Sequence, residues 1–119
     1  MTARPERVAE EFREVLAEEI PKLKDPRVGF VTVTRVEVTP DLRKAVIFYT
    51  VLGEDADRKA TRAGLRSAGP HLRAELGHQV RLKFTPELRF EEDQGMANVA
   101  RVDELLRGLH QEGDDDASG

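Results

Sequence analysis

The chain has 119 residues, with 19 lysines and arginines against 23 aspartates and glutamates, and it contains neither cysteine nor tryptophan. That length holds one domain with a modest core, and the missing cysteine excludes disulfides, thiolate catalysis and sulfur-ligated metals. No apolar run approaches the length of a membrane span, and the N-terminus is charged by Arg4, Glu6 and Arg7. A cytoplasmic protein with no membrane partner is therefore expected.

Pro5 suits the first turn of a helix, and Val8, Phe12, Val15, Leu16, Ile20 and Leu23 recur at helical spacing, so an amphipathic helix is predicted over about 5–20. Pro21 disrupts it and Asp25-Pro26 makes a turn. The following GFVTVTRVEV is β-branched, but its alternation changes phase: Val31 and Val33 are odd, Val36 and Val38 even. One extra residue near Thr34-Arg35 brings all four to one face, which predicts a β-bulge. Thr39-Pro40-Asp41-Leu42 reads as a turn. Lys44 to Leu52 reads as a second strand, antiparallel to the first and apolar on both faces, with Ala45, Ile47, Tyr49 and Val51 against Val46, Phe48 and Leu52. Phe48 on the outer face is either a base-stacking platform or a cover for the sheet; with no second aromatic beside it, the second reading is preferred.

Glu54 and Asp55 precede a second helix in which Ala56, Ala60, Ala63 and Ser67 form a small-residue stripe expected to lie on the sheet. Arg58, Arg62 and Arg66 recur every four residues on another face. Leu65 fits neither set. Ser67-Ala68-Gly69-Pro70 reads as a sharp corner, with Gly69 at the positive φ of a helix end and Pro70 opening a third helix that carries Leu72 and Leu76. From Val80 to Phe90 the apolar residues fall on even numbers, which predicts a strand with Val80, Leu82, Phe84, Leu88 and Phe90 on the core and Arg81, Lys83, Thr85, Glu87 and Arg89 outside. A last helix is predicted over about 95–109 from Val99, Val102, Leu105, Leu106 and Leu109. Residues 112–119 read as a disordered acidic tail, leaving 1–111 as the domain.

Four of the acids lie in that tail, at Glu112, Asp114, Asp115 and Asp116, so the body balances nineteen basic against nineteen acidic residues. Between 58 and 89, however, Arg58, Lys59, Arg62, Arg66, Arg73, Arg81, Lys83 and Arg89 face only Glu75 and Glu87. Such an excess is the footprint of a phosphate-binding surface, although a charge run on its own is more often a solvated face. An enzyme is not expected. Glu91, Glu92 and Asp93 could ligate a metal, and His71 and His78 share a helix face, but no HExxH, Walker or Gly-rich phosphate motif accompanies them. No cofactor or metal site is assigned.

The order α-β-β-α-α-β with an appended helix describes an α+β fold, a three-stranded sheet with helices on one face, and it is the arrangement of the K-homology (KH) domain in its second topological form. No GXXG loop is present. With Ser67-Ala68-Gly69 in its place, the sequence resembles the bacterial ribosome-binding factor A family, whose helix pair meets at an Ala-x-Gly kink. The resemblance is carried by Val8-Ala9-Glu10-Glu11, Lys24-Asp25-Pro26-Arg27-Val28-Gly29, Val36-Glu37-Val38-Thr39 with Asp41-Leu42, Leu76-Gly77, Arg81 and Pro86-Glu87-Leu88-Arg89-Phe90. Ser67 stands where that family usually has Ala, and Gln94-Gly95 replaces a segment that often carries Ser. The resemblance implies a non-enzymatic, monomeric assembly factor that binds the small ribosomal subunit and its 16S rRNA, assists late rRNA maturation, supports growth in the cold and takes no small-molecule substrate. Its expected RNA-binding residues are Arg58, Arg62, Arg66, Ser67, Ala68, Gly69, Arg73, Arg81 and Lys83. The alternative is a protein-protein module without RNA affinity, with Leu65 and Phe48 at its interface.

Overall fold

The computed structural model describes residues 4–93. The predicted last helix over 95–109 and the acidic tail over 112–119 lie outside them.

Helix α1 spans Pro5–Glu19, with Pro5 in its first turn, and ends in a 3-10 turn over Ile20–Lys22 where Pro21 cannot continue the α-helical bonding. Its inner stripe, Val8, Phe12, Leu16 and Ile20, is buried against the sheet. Strands β1 (Val31–Val38) and β2 (Lys44–Val51) form an antiparallel hairpin running from Val31↔Val51 to Val38↔Ala45. The register shifts between Val33 and Arg35, so the predicted bulge is present and Val33, Val36 and Val38 all face the core. Helix α2 (Asp55–Gln79) then crosses the sheet, and β3 (Glu87–Glu92) pairs parallel to β2 from Lys44↔Glu87 to Tyr49↔Glu92. The sheet order is β1-β2-β3, and both helices pack on one face of it around Ala45, Ile47 and Tyr49. The α+β class and the helix-covered three-stranded sheet are those expected. The layout is KH-like, with the predicted helix pair joined end to end.

Three local expectations are corrected. The corner at Ser67-Ala68-Gly69-Pro70 is not a break: α2 runs through it with Pro70 inside, and Gly69 is absent from the positive-φ residues. Continuity aligns Leu65, Leu72 and Leu76 on one inner stripe with Thr61 and Ala68, so Leu65 is fully buried and the alanines do not face the sheet; Ala56 and Ala63 are exposed. The third correction concerns the last strand. It starts at Glu87 instead of Val80, because its partner β2 begins at Lys44, just after the hairpin turn, and residues 80–86 extend past the point where any strand is available. Val80 is buried beside the helix end and Leu82 packs against the core, while Phe84 is 60% exposed.

The segment between α1 and β1 is fastened to α2. Thr61, buried, accepts a hydrogen bond from Gly29 N–H (3.2 Å) and donates to the Arg27 carbonyl (3.4 Å). At Gly64 the approach is so close that a Cβ would lie 2.6 Å from Val28 Cγ2.

Candidate nucleic-acid interface

Because β3 is parallel to β2, α2 must run antiparallel to both, and one flank of α2 therefore follows β3 from end to end. Helical spacing puts Arg58, Arg62, Arg66, Gly69 and Arg73 on that flank, beside the buried Leu65 stripe. Each end is tied to the strand. Arg58 Nε donates to Glu92 Oε2 at 2.7 Å and its Nη1 to Asp55 Oδ1 at 3.2 Å. At the other end Arg73 donates to the carbonyls of Thr85 (2.8 Å) and Pro86 (3.2 Å).

Between these ties lies a groove of about 420 Å³, lined on the helix by Arg62, Arg66 and Gly69 and on the strand by Leu88 to Glu92. At Gly69 the groove is open, since nothing lies within 4 Å of where a Cβ would be. Arg62 and Arg66 are exposed and make no ion pair among the described residues. The groove's own acids are engaged elsewhere: Glu92 by Arg58 at 2.7 Å and Glu91 by Arg89 at 2.8 Å. Two positive charges on the groove wall are thus not cancelled by paired acids, which is what reversible capture of phosphate requires. On the core side is Tyr49, buried, whose hydroxyl has no hydrogen-bond partner of good geometry. Burial raises its pKa; the nearby Arg62 opposes the rise and Glu92 adds to it. The phenol therefore stays neutral at physiological pH.

The residues singled out from the sequence are placed as follows. Arg62, Arg66 and Gly69 are gathered at the groove. Arg58 and Arg73 flank it but are occupied in holding helix to strand. Ala68 is half-buried against the core, and Ser67 is exposed on a side of the helix turned away from the groove. Arg81 and Lys83 are exposed as expected, but in the 80–86 segment and not on the outer face of a strand. Phe48 is fully buried with the Arg35 guanidinium 4.8 Å above its ring, so it covers the sheet and offers no stacking surface. Sequence reasoning missed Arg43, whose carbonyl receives the Glu87 N–H at 2.8 Å and whose side chain lies beside Phe84. The hairpin turn brings it there across more than forty residues of chain, and no local periodicity carries that signal. Among the described residues no group of three His, Asp or Glu is arranged to hold a metal ion, and no helix is long and apolar enough to cross a membrane.

Comparison with known proteins gives one family. The family model described as Ribosome-binding factor A matches residues 4–106. A curated relative of that name from Geobacter sulfurreducens is 49% identical over 118 residues, covering 98% of this chain and all of its own length. Among solved structures, the solution structure of a Thermotoga maritima protein described as a putative ribosome binding factor A is 36% identical, with a TM-score of 0.67 over 75% of this chain and 86% of that one. A homology model of the ribosome binding factor A of Thermus thermophilus, fitted into a cryo-EM map of its 30S complex, is 26% identical, with a TM-score of 0.65 over 76% of this chain and 97% of that one.

Proposed function

This chain belongs to the ribosome-binding factor A family, and from that premise we propose that it is a non-catalytic assembly factor that binds the small ribosomal subunit through its 16S rRNA. In this reading it acts in the cytoplasm as a monomer, assists late maturation of the rRNA, supports growth in the cold and leaves before translation begins. Residues 1–111 act as the ribosome-binding domain and 112–119 as an acidic tail. A relative fitted into a 30S complex supports the choice of partner. The observation that carries the RNA contact is the pair Arg62 and Arg66, exposed and without ion pairs among the described residues, on the wall of the α2–β3 groove beside Gly69. The protein-protein alternative loses the residues it rested on, since Leu65 and Phe48 are both fully buried.

Each phosphate neutralised releases condensed counterions, so affinity falls with salt by a log-log slope of roughly 0.7 per contact on single-stranded RNA. Replacing Arg62 and Arg66 together by Ala is expected to weaken binding to immature small subunits and to lower that slope by about 1.4. The control replaces Arg7 and Arg13, which already face Glu11 and Glu10 on α1. Equal affinity and equal slope for the two double variants would remove the groove from the RNA interface.

A further inference from the structure

Three large apolar side chains are prominently exposed among the described residues: Phe30 at 82%, Leu52 at 78% and Phe84 at 60%. Phe30 and Leu52 sit side by side at the open end of the hairpin, joined by the Leu52 N–H to Phe30 carbonyl bond at 3.1 Å. Phe84 differs from them in its company. Lys83 Nζ lies 5.6 Å and Arg43 Cζ 6.0 Å from the centre of its ring. Neither cation forms an ion pair among the described residues, and Arg81 close by has none either, whereas the neighbouring Lys44 is held by Glu87 at 3.2 Å.

Both segments that build this cluster are fixed. The turn carrying Arg43 is closed by Asp41 Oδ1, which accepts from the Arg43 N–H (3.1 Å) and from the Thr39 hydroxyl (2.7 Å), and it holds Leu42 at φ 60°, a conformation unusual for a side chain of that kind. The segment carrying Phe84 is anchored one and two residues later, where Arg73 binds the Thr85 and Pro86 carbonyls and Pro86 is buried. The ring therefore stands at the Arg73 end of the α2 flank, just beyond the groove that lies between Arg58 and Arg73.

We propose that Phe84, with Arg43 and Lys83, is a stacking site for an unpaired base of RNA, the two cations taking the phosphates on either side of that base. It rests on the RNA-binding reading above and extends it to a second contact point. At about 6 Å the cations are at the outer limit of interaction with the ring, so they can move to phosphates while a base covers the face. An apolar protein surface is the poorer match, because closing over the ring would desolvate two cations, neither of which forms an ion pair among the described residues. Anchoring of both backbone segments favours the contact further, since little loop freedom remains to be lost on binding.

The experiment uses the absence of tryptophan from the chain. In Phe84→Trp the new indole is the sole tryptophan emitter, and titration with a short oligoadenylate at low salt is expected to quench it saturably, with the midpoint given by anisotropy of the labelled oligonucleotide. Phe84→Leu keeps the apolar bulk but removes the π face; it is expected to weaken oligoadenylate binding about tenfold with the salt slope unchanged. Arg43→Ala with Lys83→Ala is expected to lower the slope by about 1.4. Absent quenching at saturation, absent binding of the oligonucleotide, or a Phe84→Leu variant that binds as the parent does each overturns the stacking site. A Phe84→Leu defect on immature subunits but not on oligoadenylate also overturns it, in favour of a protein contact. The groove reading is judged separately by the Arg62 and Arg66 variants, so either can fail while the other stands.

Discussion

Pro70 sits in the interior of α2, where it has no N–H to give the Arg66 carbonyl and its ring crowds the preceding turn. Gly69 eases the passage, because part of the clash that drives a residue before proline out of the helical region comes from the Cβ that glycine lacks. Pro70→Ala is accordingly expected to raise stability by about 1–3 kcal/mol in urea unfolding, with the groove unchanged. Gly64→Ala is expected to act in the opposite direction by about 1–3 kcal/mol, since its Cβ would meet Val28 Cγ2 at 2.6 Å. A Pro70→Ala variant that unfolds at the parent's urea midpoint would mean that the helix does not pass through residues 69–70 as described. The Gly-Pro pair is also where the sequence was hardest to read. A glycine followed by proline is the signature of one helix ending and another starting, and accepting it separated Leu65 from Leu72 and Leu76. The spacing of seven and four that joins those leucines is visible in the sequence, but only to a reader who lets the helix continue.

At the scale of elements, the pieces whose signal is local were legible: α1 from its stripe, the hairpin from its turn, the bulge from the phase change among the valines. The β3 boundary was not, because alternation from Val80 onward describes an extended chain without saying where its hydrogen-bond partner stops. The groove was legible in its helix half, from the spacing of Arg62 and Arg66. Its strand half and the Arg43–Phe84 contact depend on the parallel crossover. The loop between α1 and β1 offers a test at this scale. Asp25 receives hydrogen bonds from the Arg27 guanidinium, the closest at 2.6 Å, and from the Arg27 backbone N–H (2.9 Å), and these, the guanidinium foremost, hold its carboxyl below the usual value. A carboxylate with a depressed folded-state pKa contributes stability that is present above its unfolded-state pKa and lost as pH falls through the folded one. Asp25→Asn is therefore expected to destabilise the chain at neutral pH and to narrow the gap to the parent as acid protonates Asp25. A gap between parent and variant that stays constant from neutral pH into the acid range would show that the contact does not contribute.

For the whole molecule, the parallel pairing of β3 governs the sequence of events when the chain folds. β1 and β2 are joined by a tight turn and can zip at once, but β3 cannot dock until the 25-residue α2 has formed and crossed the sheet. Among the described residues β3 is also an edge strand whose Leu88 and Phe90 are only partly buried, and the Arg58 and Arg73 ties at its two ends are themselves no more than partly buried. Native-state amide exchange should therefore find β3 opening at lower free energy than the bonds between β1 and β2. Equal protection in the two pairings would contradict that order. The strand most easily released is one wall of the groove, so the site exists only while β3 is docked. Any RNA bound there holds the strand down by mass action, and slower amide exchange across β3 would then serve as a direct record of occupancy.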